Sequence, residues 1–247
     1  MRTSAFTVQK RQKMKRNKLR VMAGIFALVA AGTTANAQQT QVGIRAGLNF
    51  SNIVSKNESG NKENTKSIPG IQLGITVDVP LAGSFYVQPA ALYSRQGFKQ
   101  ETDGFSSTST NFEVKTNYIQ VPVNLLYKPK LGPGRLLLGA GPYVAFGTGG
   151  SWKSGNNVIL GDINIGNKGD VVFKKDAADG GGLESYVYGK PVDYGGSFLA
   201  GYEFLNQLSI QLNAQVGVSN LAPQYQGTES KRKLRNSGFG ISLGYKF

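Results

Sequence analysis

LSIQLNAQVGVSNL, residues 208–221, separates its two faces almost without exception. Leu208, Ile210, Leu212, Ala214, Val216 and Val218 point one way; Ser209, Gln211, Asn213, Gln215, Gly217 and Ser219 point the other. Such period-two alternation describes a β-strand with one face against something apolar and one against polar groups. An ordinary strand runs about 5 to 6 residues, whereas a tilted strand crossing a bilayer needs about 9 to 11. The stretch therefore predicts a membrane-spanning strand. In hydrocarbon an open sheet edge leaves backbone groups unsatisfied, so the strand implies a closed barrel.

The pattern recurs on both sides. QVGIRAGLNFSNI (41–53) sets Val42, Ile44, Ala46, Leu48 and Phe50 against Gly43, Arg45, Gly47, Asn49 and Ser51. Ile71, Leu73, Ile75, Val77 and Val79 alternate with Gln72, Gly74, Thr76 and Asp78. A weaker third strand covers 84–99, with Phe85, Val87, Ala91 and Tyr93 on its outer face. A fourth ends with Ile119, Val121, Val123, Leu125 and Tyr127 outside and Gln120, Asn124 and Lys128 inside. RLLLGAGPYVAFGT (135–148) is a more uniformly apolar fifth strand. Val192, Tyr194, Phe198, Ala200, Tyr202 and Phe204 face away from Asp193, Ser197 and Glu203 in a sixth, residues 208–221 are the seventh, and Phe239, Ile241, Leu243, Tyr245 and Phe247 end an eighth.

The connections alternate long and short. Polar segments at 54–67, 101–110, 149–189 and 222–233 contrast with tight turns at 80–83, 129–134 and 205–207. The chain thus reads as an all-β, eight-stranded antiparallel up-and-down transmembrane β-barrel with short periplasmic turns and long extracellular loops. An even strand count puts both termini in the periplasm. Tyr and Phe gather toward strand ends, at Phe50, Tyr127, Tyr202, Phe204, Tyr245 and Phe247, where rings sit at headgroup level. Segment 149–189 is expected to be a long extracellular loop in which VVF and SYVY are able to extend a hairpin beyond the membrane.

The formal charge of +14 suggests nucleic acid until its location is considered. Eight basic residues and no acidic one lie in residues 1–37, ahead of and around an apolar run at 21–31 that is followed by Ala35, Asn36 and Ala37. A basic region, a short apolar core and an A-x-A site make a secretory signal peptide, with cleavage before Gln38. KRNKLR after Met14 forms a compact version of the same signal, so translation from either Met1 or Met14 supplies it. Without the eight leader cations, 20 basic groups face 14 acidic ones, a balance of +6, and a nucleic-acid partner is not expected. The mature chain, residues 38–247, is expected to form one barrel domain.

GIRAGLNFSNI (43–53), NYIQVPVNLLYK (117–128), GKPVDYGGSFLAGYEF (189–204), LSIQLNAQVGVSNLAP (208–223) and GFGISLGYKF (238–247) together resemble the PorT-like outer-membrane β-barrel proteins of Gram-negative bacteria. The resemblance covers about residues 39–247. It implies an outer-membrane location and no cofactor, and it specifies architecture far more strongly than activity.

The chain contains neither histidine nor cysteine. Barrel hydrolases generally pair Ser or Asp with a His that titrates near working pH, and this chain cannot build that site, so it is read as non-enzymatic. Oxygen ligands between Gly161 and Asp170 lack the terminal bidentate acid of an EF-hand loop. Gly139, Ala140 and Gly141 are followed by no helix or Lys-Ser/Thr pair and are no phosphate cradle. No metal or cofactor is expected.

The expected role is a structural anchor or loop-presenting surface and binding protein with a plugged lumen. The alternative is a narrow channel or a component of a transport or secretion system. A soluble lipocalin-like carrier is disfavoured because polar residues face inward. Inner-face Arg45, Asp78, Lys128, Glu203 and Lys246 all fall toward the short-turn end, and in a bore just wide enough for side chains they are expected to pair across it. Lys231, Arg232, Lys233 and Arg235 end the last long loop and are candidates for contact with lipopolysaccharide phosphates or an extracellular acidic glycan or protein. Tyr245 and Phe247 resemble the terminal aromatic signal read by barrel-assembly machinery. Outer-membrane lipid completes the set of expected partners.

Overall fold

The computed structural model describes residues 40–103, 109–160, 163–180, 182, 184–205 and 207–247. The expected signal peptide at 1–37 lies outside these residues, as do Gly161 and Asp162.

The strands are β1 (Gln41–Lys56), β2 (Lys66–Ala82), β3 (Phe85–Asp103), β4 (Ser109–Tyr127), β5 (Lys130–Leu131), β6 (Gly134–Leu160), β7 (Ile163–Phe173), β8 (Tyr186–Gly189), β9 (Val192–Phe204), β10 (Leu208–Gly217) and β11 (Lys233–Lys246). Eight of them close a ring in the order β1, β2, β3, β4, β6, β9, β10, β11, every neighbouring pair antiparallel. β11 returns to β1 in a continuous register from Gly43 opposite Lys246 to Lys56 opposite Lys233, so the ring has no free edge. Among the described residues no helix is long and apolar enough to cross a membrane.

Alternation decides what each face meets. Ile44, Leu48, Ile75, Leu125, Leu212 and Leu243 stand outside and exposed, while Arg45, Thr76, Asn124, Gln211 and Ser242 are buried inside. Apolar residues on an outer surface are stable only if the surrounding medium is itself apolar, as a bilayer core is. Three short connections join β2 to β3, β4 to β6 and β9 to β10 at one end; the long ones gather at the other.

One expectation is corrected and a second is made specific. The paired part of strand 208–221 ends at Gly217, because the N–H groups of Val218 and Ser219 both donate to the Tyr194 carbonyl, at 3.0 and 3.3 Å. Alternation outlasts the ladder, with Val218 exposed and Ser219 buried, and the chain then crosses the barrel mouth to bury Leu221. Segment 149–189, expected as a long loop in which VVF and SYVY are able to extend a hairpin, carries such an extension. β6 continues to Leu160, β7 folds back along it, and β8 lies parallel to β7. VVF falls in β7 and YVY in β8.

The narrow ring draws strands together most closely where one has no side chain. A Cβ at Gly74 would collide with the carbonyl oxygen of Ala91 on β3. Gly74→Val is therefore expected to block closure of the ring: the variant should lose the faster gel mobility of the unheated barrel relative to the boiled chain.

Candidate functional site

The bore is filled in layers. Nearest the short turns, Asp78 of β2, Lys128 following β4, Glu203 of β9 and Lys246 of β11 converge, all essentially buried. These positions come from alternate strands of the ring, and their signs alternate around it. Each lysine therefore meets both carboxylates. Lys128 Nζ lies 2.9 Å from Asp78 Oδ2 and 3.1 Å from Glu203 Oε1, and Lys246 Nζ contacts Asp78 Oδ2 and Glu203 Oε2. Gln88 Nε2 donates to Asp78 Oδ1 at 2.7 Å, and Lys128 sits 4.6 Å from the centre of the Tyr86 ring. The Lys128–Glu203 contact is ionic without hydrogen-bond alignment, since Glu203 Oε1 accepts no bond.

Arg45, the fifth residue expected in this cluster, stays out of it. In register it faces Gly244 and Gly74, whereas Gly43 occupies the level of Lys246. β1 thus offers the charged layer a glycine and places its guanidinium one inward step higher. There Arg45 donates to Gln211 Oε1 at 3.4 Å and Asn213 Oδ1 at 3.3 Å, and no carboxylate reaches it among the described residues.

Sequence reasoning placed Asp193 on the inner face but missed the partners that complete the filling. Beside the charges, Tyr86, Leu126, Leu137 and Leu199 form an inward apolar cluster. Leu137 was hidden by the uniform hydrophobicity of 135–148, where no alternation separates inside from outside. Toward the long-loop end Asp193 is buried without a cationic partner among the described residues. Its oxygens accept from Ser219 Oγ at 2.5 Å, Tyr143 OH at 3.2 Å and Asn236 Nδ2 at 2.9 Å. Asn236 in turn donates to Tyr118 OH at 3.2 Å and accepts from Tyr188 OH at 2.6 Å, which ties β8 to the barrel wall.

Above this network the mouth is closed by an apolar cap. Ile53, Phe98, Val114 and Trp152 point inward from four barrel strands and meet Val171 of β7, Tyr188 of β8 and Leu221. Phe173 lies across Gly147, where a side chain would clash with its ring, and packs edge-on to Tyr118 at 5.2 Å. The surface loops are joined to each other as well. Asp176 accepts from the backbone N–H groups of Ala178, Gly227 and Gln226 at 2.9, 2.6 and 3.1 Å, which hold its carboxylate below its ordinary pKa. A depressed carboxylate pKa means that this tie is complete at neutral pH and is lost only as pH falls through the lowered value. Lys190 meets Glu229 at 3.0 Å across the same two loops.

The basic segment after β10 is divided. Arg232 pairs with Glu63 at 3.1 Å, Leu234 packs against the cap, and Lys231, Lys233 and Arg235 are exposed. Tyr245 and Phe247 stand outside with ring centres 5.3 Å apart.

A closed antiparallel ring of eight strands, apolar outside and filled inside, defines a membrane-spanning β-barrel protein. Residues 36–223 match the family described as outer membrane protein beta-barrel domain; the chain belongs to that family, and its place is the outer membrane. Among solved structures it is similar to Ail, the attachment invasion locus protein of Yersinia pestis, in complex with the heparin analogue sucrose octasulfate, at 14% identity over 85% of this chain and 100% of that one, with a TM-score of 0.40. OprG of Pseudomonas aeruginosa is similar at 15% identity over 86% and 98%, with a TM-score of 0.40. Neisserial surface protein A gives 12% over 85% and 100%, with a TM-score of 0.39. No curated protein matches the chain.

Removing one member of a buried, crossed charge cluster leaves its partners uncompensated, at a cost of roughly 3 to 5 kcal/mol. Glu203→Ala should lower unfolding stability in detergent by an amount in that range, whereas Arg45→Met, which severs no ion pair, should cost clearly less. Urea titrations of the two variants beside the parent check the order.

Proposed function

We propose that this protein is a closed, non-enzymatic barrel that anchors and displays an extracellular binding surface. The observation that carries the reading is the double closure of the bore, with crossed ion pairs near the short turns and the apolar cap at the mouth. Eight strands leave room for little more than side chains, and here the side chains meet. In this reading the termini and short turns face the periplasm. The tied loops around Asp176 then form a preorganised outer surface for an extracellular protein or glycan.

Three further elements belong to the same reading. Exposed Lys231, Lys233 and Arg235 face lipopolysaccharide phosphates. Tyr245 and Phe247 supply the terminal aromatic signal for barrel-assembly machinery, so a chain lacking residues 244–247 stays unassembled. Within the family, the strand sequences around 117–128 and 238–247 favour PorT-like members.

The test is electrical. Purified protein in planar bilayers should show no steady conductance. A stable ion-conducting open state of the unmutated protein would replace this reading with that of a narrow channel or transport component.

A further inference from the structure

We propose that the bore binds a single monovalent anion of halide size at the buried guanidinium of Arg45. The site lies inside the barrel wall, so it depends neither on which end faces the cell exterior nor on what the loops display.

Arg45 carries a charge that it cannot shed and that nothing beside it opposes. Its side chain is buried, with the residue 5% exposed, and among the described residues no carboxylate reaches it. Arginine stays protonated inside proteins, so burial cannot neutralise it as it can a lysine. Both of its hydrogen bonds leave from Nη1 and end on neutral amide oxygens, at 3.4 and 3.3 Å. Bonds between a cation and an anion run shorter, about 2.7 to 2.9 Å. Nε donates to no atom among the described residues. The layer beneath is neutral in itself, because Asp78 and Glu203 are shared between Lys128 and Lys246. Asp193 stands ten residues from Glu203 along β9, roughly 33 Å of strand, and is engaged by Ser219, Tyr143 and Asn236. An isolated buried charge costs far more than a paired one, so the guanidinium calls for an anion from outside the chain.

The sequence of β11 makes room for one. Its inward residues Gly238, Gly240, Ser242 and Gly244 stand opposite Ser51, Asn49, Gly47 and Arg45 of β1. Where two neighbouring strands offer so little side chain, the filling leaves a chamber of about 20 Å³ on the long-loop side of Arg45, lined by Asn49, Gln72, Ser94, Asn213 and Gln215. Asn213 joins the two, since it lines the chamber and accepts from Arg45. A space above about 10 to 15 Å³ admits one water-sized particle. That suits a halide and is too small for a sugar or a sulfate. Charge selects the same ligand: one positive charge is balanced by one negative charge, and a divalent anion would leave an excess in the interior. The hydroxyls of Ser242 and Ser94 accept from Asn213 Nδ2 and Asn49 Nδ2 at 2.7 and 3.1 Å, so each has its own proton to turn toward an anion.

The test exchanges chloride for gluconate, an anion too large for the chamber, at constant ionic strength, and follows urea unfolding in detergent of the unmutated protein and of Arg45→Met. Heat-modifiable mobility first establishes that both are closed barrels. Above the dissociation constant, each tenfold rise in chloride should raise the folding constant of the unmutated protein about tenfold, the linkage of one ion. The folding constant of Arg45→Met should not respond to chloride, and the variant forfeits only what the chloride concentration supplies. A second measurement needs no variant: crystals of the unmutated protein grown in sodium bromide should show an anomalous scattering peak within about 4 Å of the Arg45 guanidinium, the reach of an ion pair. No chloride dependence in the parent, an equal dependence in Arg45→Met, or a bore that holds only water in bromide overturns the site. The planar-bilayer result is separate: a conducting barrel with bromide at Arg45 overturns the closed bore and keeps the site.

Discussion

Four charges of alternating sign, meeting inside a ring of eight strands, are the contact on which the remaining structure depends. Asp78, Lys128, Glu203 and Lys246 come from β2, β4, β9 and β11, or the end just beyond them, every second strand of the ring. All four strands run toward the short turns, so their ends arrive at one level. Burial of any one charge alone would be prohibitive, but each lysine faces two carboxylates and each carboxylate two lysines. Cross-linking four strands that are not ladder neighbours also opposes flattening or opening of the sheet. Lys246 is the last paired residue of the chain and so couples closure of the ring to completion of the charged layer.

The outer and inner surfaces obey opposite solvents. Outside, the apolar residues meet lipid tails and need no protein partner. Inside, there is neither lipid nor space for bulk water, so the filling has to satisfy itself. Most of it does so, by ion pairs with Leu126, Leu137 and Leu199 beside them, by amides around Arg45, by the Asp193 network and finally by the apolar cap. The Asn236 amide is the joint between the last two, because it binds Asp193 and Tyr118 on the barrel and Tyr188 on β8. The surface formed by the long loops is thereby held by the same interior that fills the bore.

Much of this was legible because period-two alternation is a local property. Residues 208–221 separate inside from outside with no knowledge of the fold, and the placement of Asp78, Lys128, Glu203 and Lys246 near the ends of like-directed strands follows from counting. Arg45 shows where counting stops. It shares the inner face, yet the pairing of Gly43 with Lys246 raises it one step, and side-chain reach then takes it to Gln211. The cap was illegible for another reason. Trp152, Val171 and Tyr188 are scattered over a segment rich in Gly, Asn and Asp, Leu221 lies past the end of β10, and they become a cluster only when β6 and β7 overshoot the membrane and β8 returns. Phe98 and Val114 likewise sit where alternation alone predicts an inward residue but not the partner waiting above it.

The most direct measurement is a double-mutant cycle on Glu203 and Lys246 in detergent, using Glu203→Gln, Lys246→Met and their combination. Unfolding free energies should show a coupling of at least about 1 kcal/mol, with the double variant less destabilised than the sum of the singles. Additivity to within about 0.5 kcal/mol would contradict the account, because the two residues would then not share the interaction on which closure of the bore is argued to depend.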